Sequence, residues 1–281
     1  MTPFVDALLN PDFPFLRHAL IAGLLSSVAF GVCGSYVVSK RISYIAGAIA
    51  HCVLGGIGVA LWLRGAHGVE AWWCAPMSGA ILAALIAALL IGWVSLKAKQ
   101  REDTVIGALW AIGMAVGLLF LARTPGYVDP MSYLFGNILM ITRSDLWLIL
   151  ALDVVIAAGG LLFYHNLLAI CFDEEYARLR GISVERHYLG LLCLTALTVV
   201  LLVSVVGIVL VVALLTLPAA VAGHYARKLW QMMLLAVVLC AIFISGGLWA
   251  SYAADLQSGP LIIIIAGAVY LVSTGVQALR E

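Results

Sequence analysis

Between Tyr188 and Gly223 the chain runs for 36 residues without one formal charge. As a single α-helix that run would extend about 54 Å, against a bilayer hydrocarbon core of about 30 Å. Two shorter helices are therefore expected, parting near Ser204 to Gly207. Seven further runs have the same character: Ala19–Ser39, Ile42–Leu63, Ala71–Leu96, Thr104–Ala122, Leu146–Tyr164 (interrupted only by Asp153), Leu229–Ala254 and Leu256–Arg280. The whole chain agrees, with 64% hydrophobic and 10% charged residues and a mean hydropathy of +1.13. Soluble domains average roughly 45–50% apolar and about 25% charged. This pattern predicts an all-α polytopic membrane protein. About nine transmembrane helices are expected (eight or ten also fit the runs), in a single transmembrane domain over residues 1–281. A soluble enzyme and a disordered chain are both excluded.

Charge then sets the expected orientation. Lys and Arg collect near membrane ends on the cytoplasmic side. With nine crossings, eleven of the 15 basic residues fall on one side, among them Lys40, Arg41, Lys97, Arg178, Arg180, Arg186, Arg227 and Lys228, and four on the other, Arg17, Arg64, Arg123 and Arg143. The N-terminus is expected to be external and the C-terminus cytoplasmic. Met1–His18 carries Asp6, Asp12 and three prolines, unlike a cleavable signal. It reads as a short surface arm. Basic and acidic residues nearly balance, at 15 and 14, so nucleic acid is not an expected partner. The six cysteines include no CxxC pair, which argues against a disulfide framework or a zinc knuckle.

Polar features inside the spans are few. Gly113 and Gly117 form a GxxxG suited to close helix packing. Gly55, Gly56 and Gly58 follow His51 and suit either close packing or a broken helix beside a midplane site. Asp153 is the one formal charge deep in a span, where a carboxylate is expensive. It serves either as a ligand or as a helix–helix hydrogen-bonding group. Trp62, Trp72, Trp73, Trp147, Trp230 and Trp249 lie near expected boundaries, as interfacial belts do. His18, His165, His187 and His224 fall at span ends and read as interface anchors.

The most polar loop is Cys171–His187. Asp173 suits a helix N-cap, Glu174 and Glu175 the first turn, Arg178 and Arg180 the last, and Gly181 the stop beyond it. Phe172, Tyr176 and Leu179 recur as one apolar stripe. A short amphipathic helix of about two turns is expected there, either a plain linker or a surface for a cytoplasmic partner. There is no GxxxxGK[ST], so ATP-driven work would need another chain. No HExxH occurs. A Ser35–His51 pair is the nearest approach to a hydrolase, and Ser35 lies at a span end beside Lys40 and Arg41.

Taken in order, several segments resemble the permease subunit of the zinc/manganese/iron family of bacterial ABC importers. They are Gly34–Tyr44, Glu102–Gly107, Ser132–Leu139, Phe172–Gly181, Val206–Ala220 and Ser258–Pro260. The resemblance implies a plasma (inner) membrane permease, paired with a second permease chain, cytoplasmic ATP-binding subunits and an external metal-binding protein. No permanent cofactor is implied, only a transported divalent zinc, manganese or iron ion. Phe172–Gly181 corresponds to the coupling helix, about 172–181. In the second span the family carries an Asp four residues before a His. His51 matches the histidine, but Gly47 stands where the aspartate would be. Asp153, the adjacent Cys52, and His67 with Glu70 in the external loop are the remaining candidate ligands. Loss of the aspartate keeps a second cargo in view, an iron chelate or a cobalamin-like molecule. Asp129 and Asp145 flank an external stretch, 130–141, that would meet a binding protein.

Overall fold

The computed structural model describes residues 14–68, 74–97, 102–126 and 141–279, with the isolated residues 8, 71 and 134. These form helices α1 (Pro14–Ser39), α2 (Ser43–His67), α3 (Pro76–Lys97), α4 (Glu102–Arg123), α5 (Arg143–Leu162), α6 (Tyr164–Phe172), α7 (Glu174–Leu179), α8 (Val184–Val206), α9 (Ile208–Tyr225), α10 (Leu229–Ala254) and α11 (Ser258–Ala278). Eight are long and apolar enough to cross a membrane. The 23-residue α8 is a ninth long helix among the described residues. In lipid every backbone N–H and C=O must be satisfied within the chain, which is why such a sequence folds as helices.

The long uncharged run breaks where expected. Gly207 separates α8 from α9 at φ 84° and ψ 160°, a conformation that L side chains rarely adopt. The two limbs run in opposite directions. Tyr188, near the start of α8, meets Ser95 at the end of α3 (3.4 Å). His224, at the far end of α9, meets Ser273 near the end of α11 (2.9 Å).

Two helices occupy the centre. The apolar windows of α1 and α2 are 72% and 78% buried, against 17% for α11. Helix α10 packs antiparallel to α1, with Gly31 against Val237 and Ser39 donating to the Met232 sulfur. Helix α5 runs alongside α1 in the same direction. His18 Nδ1 donates to the Ile141 carbonyl at one end (3.2 Å), and the Tyr36 hydroxyl donates to the Gly160 carbonyl at the other (2.7 Å). A capping box of Thr142 and Asp145 starts α5, which gives Asp145 a structural task.

Around α2 the glycines act by absence of a side chain. A Cβ on Gly113 of α4 would lie 2.7 Å from Cys52 Cα, and one on Gly117 2.8 Å from the Leu54 carbonyl carbon. A Cβ on Gly56 would lie 2.1 Å from the Gly79 carbonyl oxygen of α3. The GxxxG packs as expected. The broken helix that would sit beside His51 is not found: α2 continues through Gly55, Gly56 and Gly58 to His67. Those glycines serve close approach, the small-residue packing that brings helices together in lipid.

Candidate functional site

His51 sits on the central helix α2 and is 8% exposed. Its ring stacks on Trp110 of α4, with centroids 4.4 Å apart and planes at 27°. Its Nδ1 is buried and has no hydrogen-bond partner among the described residues. Leaving such a nitrogen unpaired costs about 1–3 kcal/mol. One turn earlier, Gly47 leaves room for the indole: a Cβ there would lie 2.5 Å from Trp110 Cζ3. Gly47, where the resembling family carries its aspartate, is therefore covered by an aromatic ring from the neighbouring helix.

The other candidate ligands do not converge on His51. Cys52 points to α4, its thiol directed at the Leu109 carbonyl (3.4 Å). Asp153 is buried on α5 against the backbone of α1 at Ala29, with Oδ2 unpartnered among the described residues. It belongs to the α1–α5 seam, whereas His51 faces α4. His67 is exposed at the far end of α2, edge-on to Trp62 (4.6 Å). Among the described residues no three His, Cys, Asp or Glu side chains group as a metal site. Glu70, Asp129 and most of 130–141 lie outside the described residues. Ser35 donates to the Gly31 carbonyl (2.6 Å), so it forms no pair with His51. All six cysteines are free thiols.

Three of the span-end histidines, His18, His187 and His224, hydrogen-bond within the protein. His187 Nδ1 donates to the Ser183 carbonyl (2.9 Å) and its Nε2 accepts from Asn166 (3.0 Å). His224 meets Ser273 and stacks near Tyr270. Trp147 is 72% exposed, consistent with a belt position.

The polar loop folds as a short helix with one correction. Asp173 Oδ1 caps it by accepting from the Tyr176 amide (2.9 Å), and Gly181 ends it at φ 75°. The helix proper, α7, has only six residues. Phe172 belongs to the end of α6, because Asp173 is extended and separates the two. The apolar stripe survives the break: Phe172, Tyr176 and Leu179 are all exposed, Leu179 at 87%. Arg180 lies over the Tyr176 ring (5.6 Å), and Arg178 approaches Glu174 (4.0 Å). On the inner side, Ala177 is fully buried with Ile170 and Val184.

Two residues without a motif of their own matter most here. Trp110 carries no signal of its own in the sequence. Lys40 reads there as a boundary charge, yet its ammonium pairs with Glu174 and donates to the Ile170 carbonyl (3.0 Å). The Cys171 thiol faces the Tyr36 carbonyl (3.9 Å). The end of α1 is thereby tied to the α6–α7 corner.

This arrangement of helices is shared with known proteins. A family model described as "ABC 3 transport family" matches residues 12–277. The chain belongs to the ABC 3 transport family. A probable metal transport system membrane protein of Chlamydia trachomatis is 39% identical, over 96% of this chain and 92% of its own. The manganese transport system membrane protein MntC of Halalkalibacterium halodurans is 34% identical, over 96% and 89%. Among solved structures, PsaBC from Streptococcus pneumoniae in complex with Fab matches with a TM-score of 0.83 and 30% identity, covering 96% of this chain and 94% of that one. As a member of the ABC 3 transport family the chain is a multi-pass membrane permease subunit.

Proposed function

We propose that this chain is the permease of an ATP-driven importer for a divalent transition metal ion, working by alternating access. Manganese is favoured over zinc and iron because relatives are named as manganese transport proteins. The observation that carries the proposal is the tie between the exposed α7 corner and the central helices. A cytoplasmic ATP-binding subunit gripping Phe172, Tyr176 and Leu179 would pull on Glu174. Lys40 passes that pull to the end of α1, and the Arg41 turn leads directly into α2 with His51. In this reading Asp173, Glu174, Glu175, Arg178, Arg180 and Gly181 shape and orient the coupling surface. The opposite end of the bundle, with His67, receives an external metal-binding protein, and a second permease chain completes the pathway. The N-terminus is external, in a bacterial inner membrane.

His51 is the group of this chain that contacts the passing ion. Imidazole suits iron and zinc, whereas manganese prefers oxygen ligands, which would have to come from outside this site; Nδ1 is the unpaired atom. Cys52, Asp153 and His67 are lesser candidates, since none shares the face of His51. The indole packed on His51 supports a small ion over a chelate or a cobalamin-like cargo, for which a wider cavity would be needed.

Two measurements test the halves. In proteoliposomes with the ATP-binding subunits, His51→Ala is expected to lower uptake of manganese at least tenfold while the subunits stay bound. Tyr176→Ala combined with Arg178→Glu is expected to release those subunits in a pull-down. Full retention by the double variant would remove α7 as the docking surface.

A further inference from the structure

At the level of His51, α2 and α4 pack backbone to backbone. A Cβ on Gly55 would lie 3.0 Å from the Gly113 carbonyl oxygen, and Gly113 itself has no room for one against Cys52. Contacts this close leave little slack in the α2–α4 seam. Movement of a side chain is therefore the shorter route to the imidazole. That side chain is Trp110, half-buried, with its indole stacked on the imidazole and its rim over Gly47. One turn before it on α4, Gly107 is exposed, and among the described residues a Cβ built there meets nothing within 4 Å. Gly107 lies toward the N-terminus of α4 from Trp110, the direction in which long side chains on helices lean.

We infer that Trp110 is a gate over His51: its indole moves between a closed position stacked on the imidazole and an open position over Gly107, and a cation reaches Nδ1 only in the open one. The inference rests on reading His51 as the ion contact, and it adds the residue that controls access. A stack of this kind sets a bias of about two- to tenfold, small enough for motions of the bundle to reverse. Gly47 is part of the device, because any side chain there competes with the indole for the same space.

The test uses the full chain in lipid nanodiscs reacted with diethylpyrocarbonate. Modification of His51 is followed by peptide mass spectrometry, with exposed His67 as the internal standard. Trp110→Ala is expected to raise the His51 rate about fivefold or more, the upper range of the stacking bias. Gly47→Ala is expected to raise it as well, although it adds a methyl group and leaves no cavity. Gly107→Leu, which fills the open space without touching His51, is expected to lower the rate below that of the unaltered chain. Equal rates in all four chains would overturn the gate, as would a Gly107→Leu chain that reacts as fast as Trp110→Ala. Manganese uptake by His51→Ala separates this result from the transport reading. Unimpaired uptake alongside the expected labelling order removes His51 as ion contact and with it the gate's action on a cation, while the two positions of the indole stand. Lost uptake with flat labelling removes the gate alone.

Discussion

Lys40 shows how much one side chain can hold in this molecule. It donates to the Ile170 carbonyl and pairs with Glu174, and it is mostly buried while Glu174 is 43% exposed. Partial exposure keeps the ion pair near the upper end of the surface range, about 1 kcal/mol. Lys40→Met keeps the aliphatic stem and removes both interactions. The α7 amides are expected to exchange with deuterium about fivefold faster, with α2 amides unchanged, by mass spectrometry; the factor is what about 1 kcal/mol supplies. Uptake should fall while the ATP-binding subunits still dock. In the sequence Lys40 is legible only as a topological charge, since its partner lies 134 residues away. His51 is legible because a lone imidazole among apolar residues stands out. Trp110 is not, because an aromatic residue in an apolar run looks like every other lipid-facing or packed ring.

Between elements, the α2–α4 seam depends on glycine. A valine at Gly113 would place atoms against the Cys52 backbone, where a Cβ alone comes within 2.7 Å. Overpacking of this kind typically costs about 1–3 kcal/mol. Gly113→Val is therefore expected to lower the melting temperature in detergent by several degrees. Gly275→Ala, where a Cβ meets nothing within 4 Å, should leave it unchanged or raise it slightly through helix propensity. A Gly113→Val chain as stable as the parent would mean that the seam is looser than its glycines imply. The glycines after His51 can be read from sequence as a break or as a contact. Both use the missing Cβ, and only the helix opposite distinguishes them. The α7 corner is more legible, because cap, charge gradient and stop are local signals. Its division at Asp173 is not, because the extended conformation there depends on how α6 docks.

Across the molecule, the described basic residues sort cleanly. Lys40, Arg41, Lys97, Arg178, Arg180, Arg186, Arg227 and Lys228 gather at the end that carries α7, and Arg17, Arg64, Arg123 and Arg143 at the other. If the first end is cytoplasmic, Leu179→Cys in right-side-out vesicles should resist an impermeant maleimide and react only after the membrane is opened. Reaction from outside would invert the molecule and move the motor to the wrong face. Leu179 suits the purpose because it is 87% exposed. The native Cys171 does not, since burial pushes its thiol up to about 12 and little reactive thiolate forms near neutral pH.

Charge spacing and composition alone dictated a helical membrane bundle, its approximate number of crossings and the break at Gly207. Lipid offers no hydrogen bonds, so a long uncharged run has few ways to fold. The face each helix turns to its neighbours was another matter. The spacing of apolar residues says little about which side is buried where both core and surroundings are apolar. The pairing of Gly113 with Cys52, the indole laid over His51 and the bond from Lys40 to the α7 corner all join residues far apart in the chain. They exist because helices packed backbone to backbone leave room for one arrangement of side chains, and no local pattern records which one.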